Sequence, residues 1–340
     1  MEDMIMKVVD MHCDTLTTLL HKEHDNPGKK WSLKDNDGHL SLEKMQKGDY
    51  LLQNFAIFTP FIGVGDTLEY ALIGVDRFHK EMEENSDLIE PVYSYQDILD
   101  VSAKGKMCGM LTLEEGGVVH NDLRILNNFY RLGVRMITLT WNFANDIGHP
   151  NCDATKFKSD FSDSMMPHKL FMIDEENGLT PFGIEYVKRM EELGIIIDVS
   201  HLSDKGFWDV IEHTTKPFVA SHSNSRAVRG VGRNMTDDMI KALAKRGGVM
   251  GMNYCETFVD DEEGRIPAII EHIKHIKEIA GIDVVGLGSD FDGIGDRHDL
   301  RGGDEMPLLA EAMREAGFTE EEIEKVFYKN VLRVYKEVLK

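Results

Sequence analysis

Val8-Val9-Asp10-Met11-His12-Cys13-Asp14 is a short apolar run that ends on a histidine and an aspartate two residues apart. Alternate side chains of a strand share a face, so His12 and Asp14 project together from the strand's C-terminal end. An imidazole and a carboxylate aimed at one point suit a divalent ion such as zinc. The pair alone is weak evidence, because a His and an Asp at this spacing also cap ordinary strands.

The same grammar recurs along the chain. Apolar runs that read as strands lie at Gln53–Thr59, Cys108–Leu113, Val134–Thr140, Ile195–His201, Pro217–His222, Gly248–Tyr254 and Val284–Asp290. Helical patterns separate most of them, at Asp66–Glu84, Asn121–Leu132, Thr180–Leu193, Ser203–His213, Thr236–Arg246 and Pro267–Ala280. Thr180-Pro181 matches a Thr cap with Pro at the first helical position, and Thr319 with Glu322 matches a capping box. Continuous rather than alternating apolar strands are what a parallel sheet covered on both faces requires. Eight such strands predict a TIM-type (β/α)8 barrel. A doubly wound open sheet is the competitor, but no GxGxxG follows the first strand. Residues 1–340 read as one domain, with a long loop after the fourth strand at about 143–177 and C-terminal helices at about 304–340. His21 to His39, polar and turn-rich, reads as a loop over the end of the first strand.

A net charge of -22 argues against a nucleic-acid or acidic-membrane partner, since both need a basic footprint. The start lacks a basic region followed by an apolar one, and no apolar run is long enough to span a bilayer. The expectation is a cytoplasmic protein. Cys13, Cys108, Cys152 and Cys255 are scattered and form no CxxC pair, which disfavours a disulfide framework or a thiolate metal site.

In a (β/α)8 barrel all strands deliver their C-terminal ends to one face. The polar residues at those ends are His12, Asp14, Glu115, His201, His222 and Asp290. Each has a dull explanation as a core histidine, a loop carboxylate or a cap. Their joint position at the same end of several strands does not. The set exceeds what one tetrahedral zinc needs, so two ions sharing a carboxylate fit better. Water between them would have its pKa brought from 15.7 to about 7, with Asp290 left to move protons.

Further segments carry a resemblance: Leu113-Glu114-Glu115-Gly116-Gly117, Gly178-Leu179-Thr180-Pro181-Phe182-Gly183, Ser221-His222-Ser223, Arg233-Asn234 and Gly288-Ser289-Asp290-Phe291-Asp292-Gly293. With the opening stretch and Ile197-Asp198-Val199-Ser200-His201, they resemble the signature segments of the membrane (renal) dipeptidase family and its soluble bacterial relatives. The resemblance implies a binuclear zinc enzyme, two Zn2+ per chain, that hydrolyses L-L and L-D dipeptides by attack of a metal-bridging hydroxide. It assigns His12 and Asp14 to one zinc, His201 and His222 to the other, and Glu115 as the bridge. Glu115 is preferred to Glu114 because the family glutamate directly precedes the paired glycines. Asp290 becomes the proton shuttle and Arg233 the anchor for the substrate carboxylate, with Arg226 and Arg229 as solvated loop arginines. A homodimer is expected from the family, though no interface is visible in the pattern.

One position departs. Family members carry a substrate-contacting histidine after the fourth strand, where this chain has Trp141. His149 and His168 lie in the following loop and read as exposed. The alternatives are a binuclear amidohydrolase acting on a non-peptide amide, whose families begin with His-x-His, and a metal-binding protein of the same fold with little activity.

Overall fold

A computed structural model describes residues 7–61, 65–153, 171–260 and 264–340. Nine strands form among them: β1 Val8–Asp10, β2 Tyr50–Phe58, β3 Ile89–Pro91, β4 Met107–Glu114, β5 Met136–Thr138, β6 Ile196–Asp198, β7 Val219–Ala220, β8 Val249–Met252 and β9 Val285–Leu287. All pair in parallel, and the ring β1-β2-β4-β5-β6-β7-β8-β9 closes back on β1. This is the eight-stranded TIM-type barrel expected. β3 is an extra edge segment paired with the first residues of β4, leaving the last ones to β5.

Alternation along β4 separates two layers. Cys108 and Met110 point into a buried cluster with Val9, Met11, Leu52 and Met136, the barrel interior. Leu111 and Leu113 face the other way, into the core shared with Phe78 and Val75 of the helix Thr67–Glu84. The closing helix Asn330–Val338 sends Val331, Val334 and Tyr335 into the inner cluster, where the Tyr335 hydroxyl accepts a hydrogen bond from Asn54 Nδ2 at 2.7 Å. Burying these side chains is worth about 1.5–3 kcal/mol each before the entropy of ordering them is counted.

The helix signals in the sequence act as caps. Thr180 accepts from Gly183 N ahead of Pro181–Leu193, and Thr319 and Glu322 form the reciprocal box ahead of Glu320–Glu324. Each such cap contributes about 1 kcal/mol. Beyond the box the chain does not continue as one α-helix: Lys325–Lys329 forms a π-helical turn before Asn330–Val338. The loop expected from His21 begins later, because the helix Thr15–Asp25 runs through His21. Short helices at Leu42–Lys47 and Tyr95–Ala103 complete the early part of the chain.

Candidate metal centre

At the C-terminal ends of the strands the backbone leaves regular geometry. Glu115, His201, Asp290 and Asp292 take φ values of 91°, 70°, 64° and 66°. That left-handed region costs a side-chain-bearing residue of order 1–3 kcal/mol, and such strain clusters where side chains must be aimed. Close approach of two strand ends is made possible by Gly288, where a Cβ would stand 1.7 Å from the Ser221 carbonyl oxygen. The glycine therefore lets the end of β9 pack directly against the Ser221-His222 backbone at the end of β7.

The structure brings together His12, Asp14, Glu114, His201, His222 and Asp290. His12 Nε2 lies 3.4 Å from Asp14 Oδ2, 3.5 Å from Glu114 Oε2 and 3.7 Å from Asp290 Oδ1. Glu114 Oε1 lies 3.1 Å from His201 Nε2 and 3.6 Å from His222 Nε2. The rings of His12 and His222 stack with centroids 3.8 Å apart. Glu114 thus stands between the two ends of the cluster, one oxygen toward each.

The two far histidines are held in a defined tautomer. The Ser221 hydroxyl donates to Asp198 Oδ2 at 2.5 Å, so toward His222 Nδ1, at 2.8 Å, it can only accept. His201 Nδ1 lies 2.9 Å from Asn142 Oδ1, an acceptor. Both rings therefore carry their proton on Nδ1, and their Nε2 lone pairs face each other at 3.0 Å. Two facing lone pairs do not form a hydrogen bond; they suit a shared cation. Asp198 is itself fixed by Ser200 N, Ser221 N and Thr138 Oγ1. Asp10 does similar work behind His12, accepting from Ser289 N, Ser289 Oγ and His12 N.

Several buried donor and acceptor atoms here have no hydrogen-bond partner: both ring nitrogens of His12, Asp14 Oδ1 and Arg233 Nε. Leaving a buried polar atom unsatisfied costs about 1–3 kcal/mol, so the arrangement asks for a ligand. Burial pushes the Glu114 carboxyl up to about 8, reinforced by the charge of Asp14, and lifts Asp290 to about 6 against the opposing pull of His12. Burial drives His201 and His222 well below the usual imidazole value, keeping them neutral. Neutral imidazoles with carboxylates around orphaned nitrogens form the N/O donor set that divalent zinc takes, and the residues fit such ions.

Glu115 is a correction. Its carboxylate does not reach the histidines; it accepts from Gly117 N at 2.8 Å, from Trp141 N at 2.9 Å and from Asn145 Nδ2. The physical reason is strand parity: Glu114 follows Cys108, Met110 and Thr112 on the inward face of β4, and the turn at Glu115 sends the next side chain elsewhere. The inward alternation was the available signal; proximity to the paired glycines misled. Asn142, Asp10 and Asp198 were also missed, since nothing local distinguishes a polar residue that supports a cluster side chain from one that caps a strand.

A cavity of about 440 Å³ opens over the cluster, with Phe58, Trp141, Phe258 and Ile294 among its apolar walls. The Trp141 ring lies 5.8 Å from that of His201 and 5.0 Å from those of Phe58 and Phe143. Arg233 is buried, donates to the His222 carbonyl oxygen at 3.1 Å and lies over the Phe258 ring at 5.2 Å. Among the described residues no carboxylate pairs with it. Arg226, by contrast, is not a solvated loop residue: it grips Asp204 through two nitrogens at 2.6 and 2.7 Å. Asp292 accepts from Thr15 Oγ1 and His39 N, tying the loop before Leu40 to the end of β9. His149 Nδ1 rests 3.1 Å from the Gly178 carbonyl oxygen, and His168 lies outside the described residues. Among the described residues no helix is long and apolar enough to cross a membrane.

Comparison with known proteins gives a family and several relatives. The family model for membrane dipeptidase, peptidase family M19, matches residues 3–340. An uncharacterized dipeptidase of Schizosaccharomyces pombe is 31% identical over 352 residues, covering 97% of this chain and 80% of the relative. An uncharacterized Klebsiella pneumoniae protein encoded in the pqqA 5' region is 36% identical over 231 residues, covering 66% of this chain and 80% of the relative. Among solved structures, the M19 metallopeptidase dipeptidase AC superposes with a TM-score of 0.86 at 26% identity, covering 98% of this chain and 99% of that one. A Rhodobacter sphaeroides metallopeptidase shares the fold with a TM-score of 0.85 at 24% identity, covering 98% and 99% of the two chains.

Proposed function

The chain belongs to the membrane dipeptidase family, peptidase family M19, and we propose that it is a binuclear zinc dipeptidase whose two ions are held by His12, Asp14, Glu114, His201 and His222. As a member of that family it is a metal-dependent peptide-bond hydrolase. The observation that carries the finer reading is the pair of Nε2 lone pairs facing each other at 3.0 Å beside Glu114 Oε1, with the orphaned nitrogens of His12 on the other side of that carboxylate.

In this reading His12 and Asp14 would hold one ion and His201 and His222 the other, with Glu114, one oxygen toward each set, available to both. When bound, such ions supply Lewis-acid polarisation of the scissile carbonyl and water acidified to a pKa of about 7. The chain's own residues do the rest. Asp290, fixed by Asn253 Nδ2 at 2.9 Å, takes a proton from the attacking water and returns it to the leaving amine. Arg233 meets the substrate's free carboxylate with its unspent donors, a charge-assisted contact that selects for a second residue ending the peptide. Trp141 and Phe58 wall the cavity and exclude water. The substrate class is thus a small dipeptide, and a cytoplasmic homodimer is the setting we assign to it.

Turnover of an L-L and L-D dipeptide panel, with metal content measured on the same sample, tests the proposal. Hydrolysis that tracks zinc content supports it. A zinc-loaded protein inert toward every dipeptide but active on a non-peptide amide would favour the amidohydrolase alternative.

A further inference from the structure

We propose that Glu115 is a positioning residue: its buried carboxylate holds the turn after β5, and Asn142 on that turn fixes the ring of His201. The inference rests on the reading of His201 as a metal ligand. Glu115 is fully buried, and no cation pairs with it among the described residues. A charge so placed is costly unless its oxygens are met by donors. They are met by three N–H groups: Gly117 N and the Asn145 amide on Oε1, Trp141 N on Oε2. Asn145 extends the knot, donating to the Leu139 carbonyl oxygen at 2.9 Å and accepting from Ile147 N at 2.7 Å and Gly148 N at 3.0 Å. The end of β4 is thereby tied to the segment between residues 139 and 148. Two consequences face the site. The Trp141 ring is set in the cavity wall, and Asn142, the next residue, presents Oδ1 to His201 Nδ1.

A glutamine would not replace this carboxylate. Its single oxygen can serve only part of the donor set, and its NH2 would confront another N–H. Glu114 and Glu115 thus divide the labour at one strand end, the first meeting the histidines and the second aiming one of them.

The test is a double-mutant cycle of Glu115→Gln and Asn142→Ala, read by the dissociation constant of the more weakly held zinc. Loss of a contact that orients a ligand typically weakens metal binding about 10- to 100-fold. Each single variant is expected to weaken that ion at least about tenfold, and the double variant to be within about twofold of the worse single, because the two changes cut one path. Nitrogen NMR of His201 in metal-free protein reads the same claim without metal or substrate: Glu115→Gln should lose the pure Nδ1–H tautomer. Wild-type zinc affinity and an unchanged tautomer in Glu115→Gln, or losses that multiply in the double variant, would overturn the proposal. Should Glu115→Gln not fold, Asn145→Ala strips one donor from the same carboxylate and carries the same expectations. A wild-type protein without dipeptide turnover would count against the dipeptidase reading and leave this measurement intact.

Discussion

Asp290 Oδ1 lies 3.7 Å from His12 Nε2 while its other oxygen accepts a hydrogen bond from Asn253 Nδ2 at 2.9 Å. One oxygen thus faces the cluster of histidines and carboxylates and the other is anchored to β8's end. An anchored carboxylate at this place can move a proton without swinging. Asp290→Asn is expected to keep the fold and most of the bound metal and to lose about 10²- to 10⁴-fold in kcat. Steady-state kinetics and elemental analysis on one sample check it; an active Asn variant would assign proton transfer elsewhere.

Arg233 should measure substrate length. Hydrogen bonds to charged groups contribute about 1.5–3 kcal/mol each, so amidating a dipeptide's C-terminus should cost at least about ten- to a hundredfold in kcat/KM. Arg233→Met should abolish that discrimination while zinc content stays at the wild-type level. The ratio of rates for a dipeptide and its amide in both proteins is the readout, and an unchanged ratio in the variant removes Arg233 as the anchor.

Much of this was legible in the chain itself. The eight apolar runs ending in polar residues foretold a closed parallel barrel, because two-sided burial leaves strands no alternation to show. That His12, Asp14, His201, His222 and Asp290 meet at one face was legible for the same reason, each standing where a run stops. The edge strand Ile89–Pro91 was not, since three residues carry no period. Glu114 was passed over for its neighbour because which of two glutamates faces inward depends on parity along β4 and on the positive φ at residue 115. Asp10, Asn142 and Asp198 needed three-dimensional contacts to be told from ordinary polar residues.

Trp141 can wall the cavity but its indole offers only a donor. Trp141→His should therefore reorder the preferred dipeptides while leaving zinc stoichiometry unchanged. Identical substrate profiles for the two proteins would make the position a bystander.

One contribution to stability, that of His272, should be lost in mild acid. His272 is fully buried, accepting from Ser225 N at 3.1 Å on Nδ1 and placing Nε2 3.0 Å from the Val259 carbonyl oxygen. Burial lowers its pKa from 6.5 to about 4. Because the folded value is depressed, the unfolded chain binds the proton more readily. The contribution is present in full above pH 6.5 and is lost as the pH falls toward 4, to the extent of about 3 kcal/mol. Denaturant midpoints across that window, compared with those of His272→Gln, isolate the term: the variant should show a shallower acid loss, and parallel curves would refute the assignment.

The most direct measurement is zinc stoichiometry after equilibrium dialysis against excess metal, for wild type, Glu114→Ala and Glu115→Ala. If Glu114 serves both proposed ions, wild type should hold two per chain, Glu114→Ala fewer than one, and Glu115→Ala still two at saturation. Two ions retained by Glu114→Ala, or a single ion in wild type, would contradict the account.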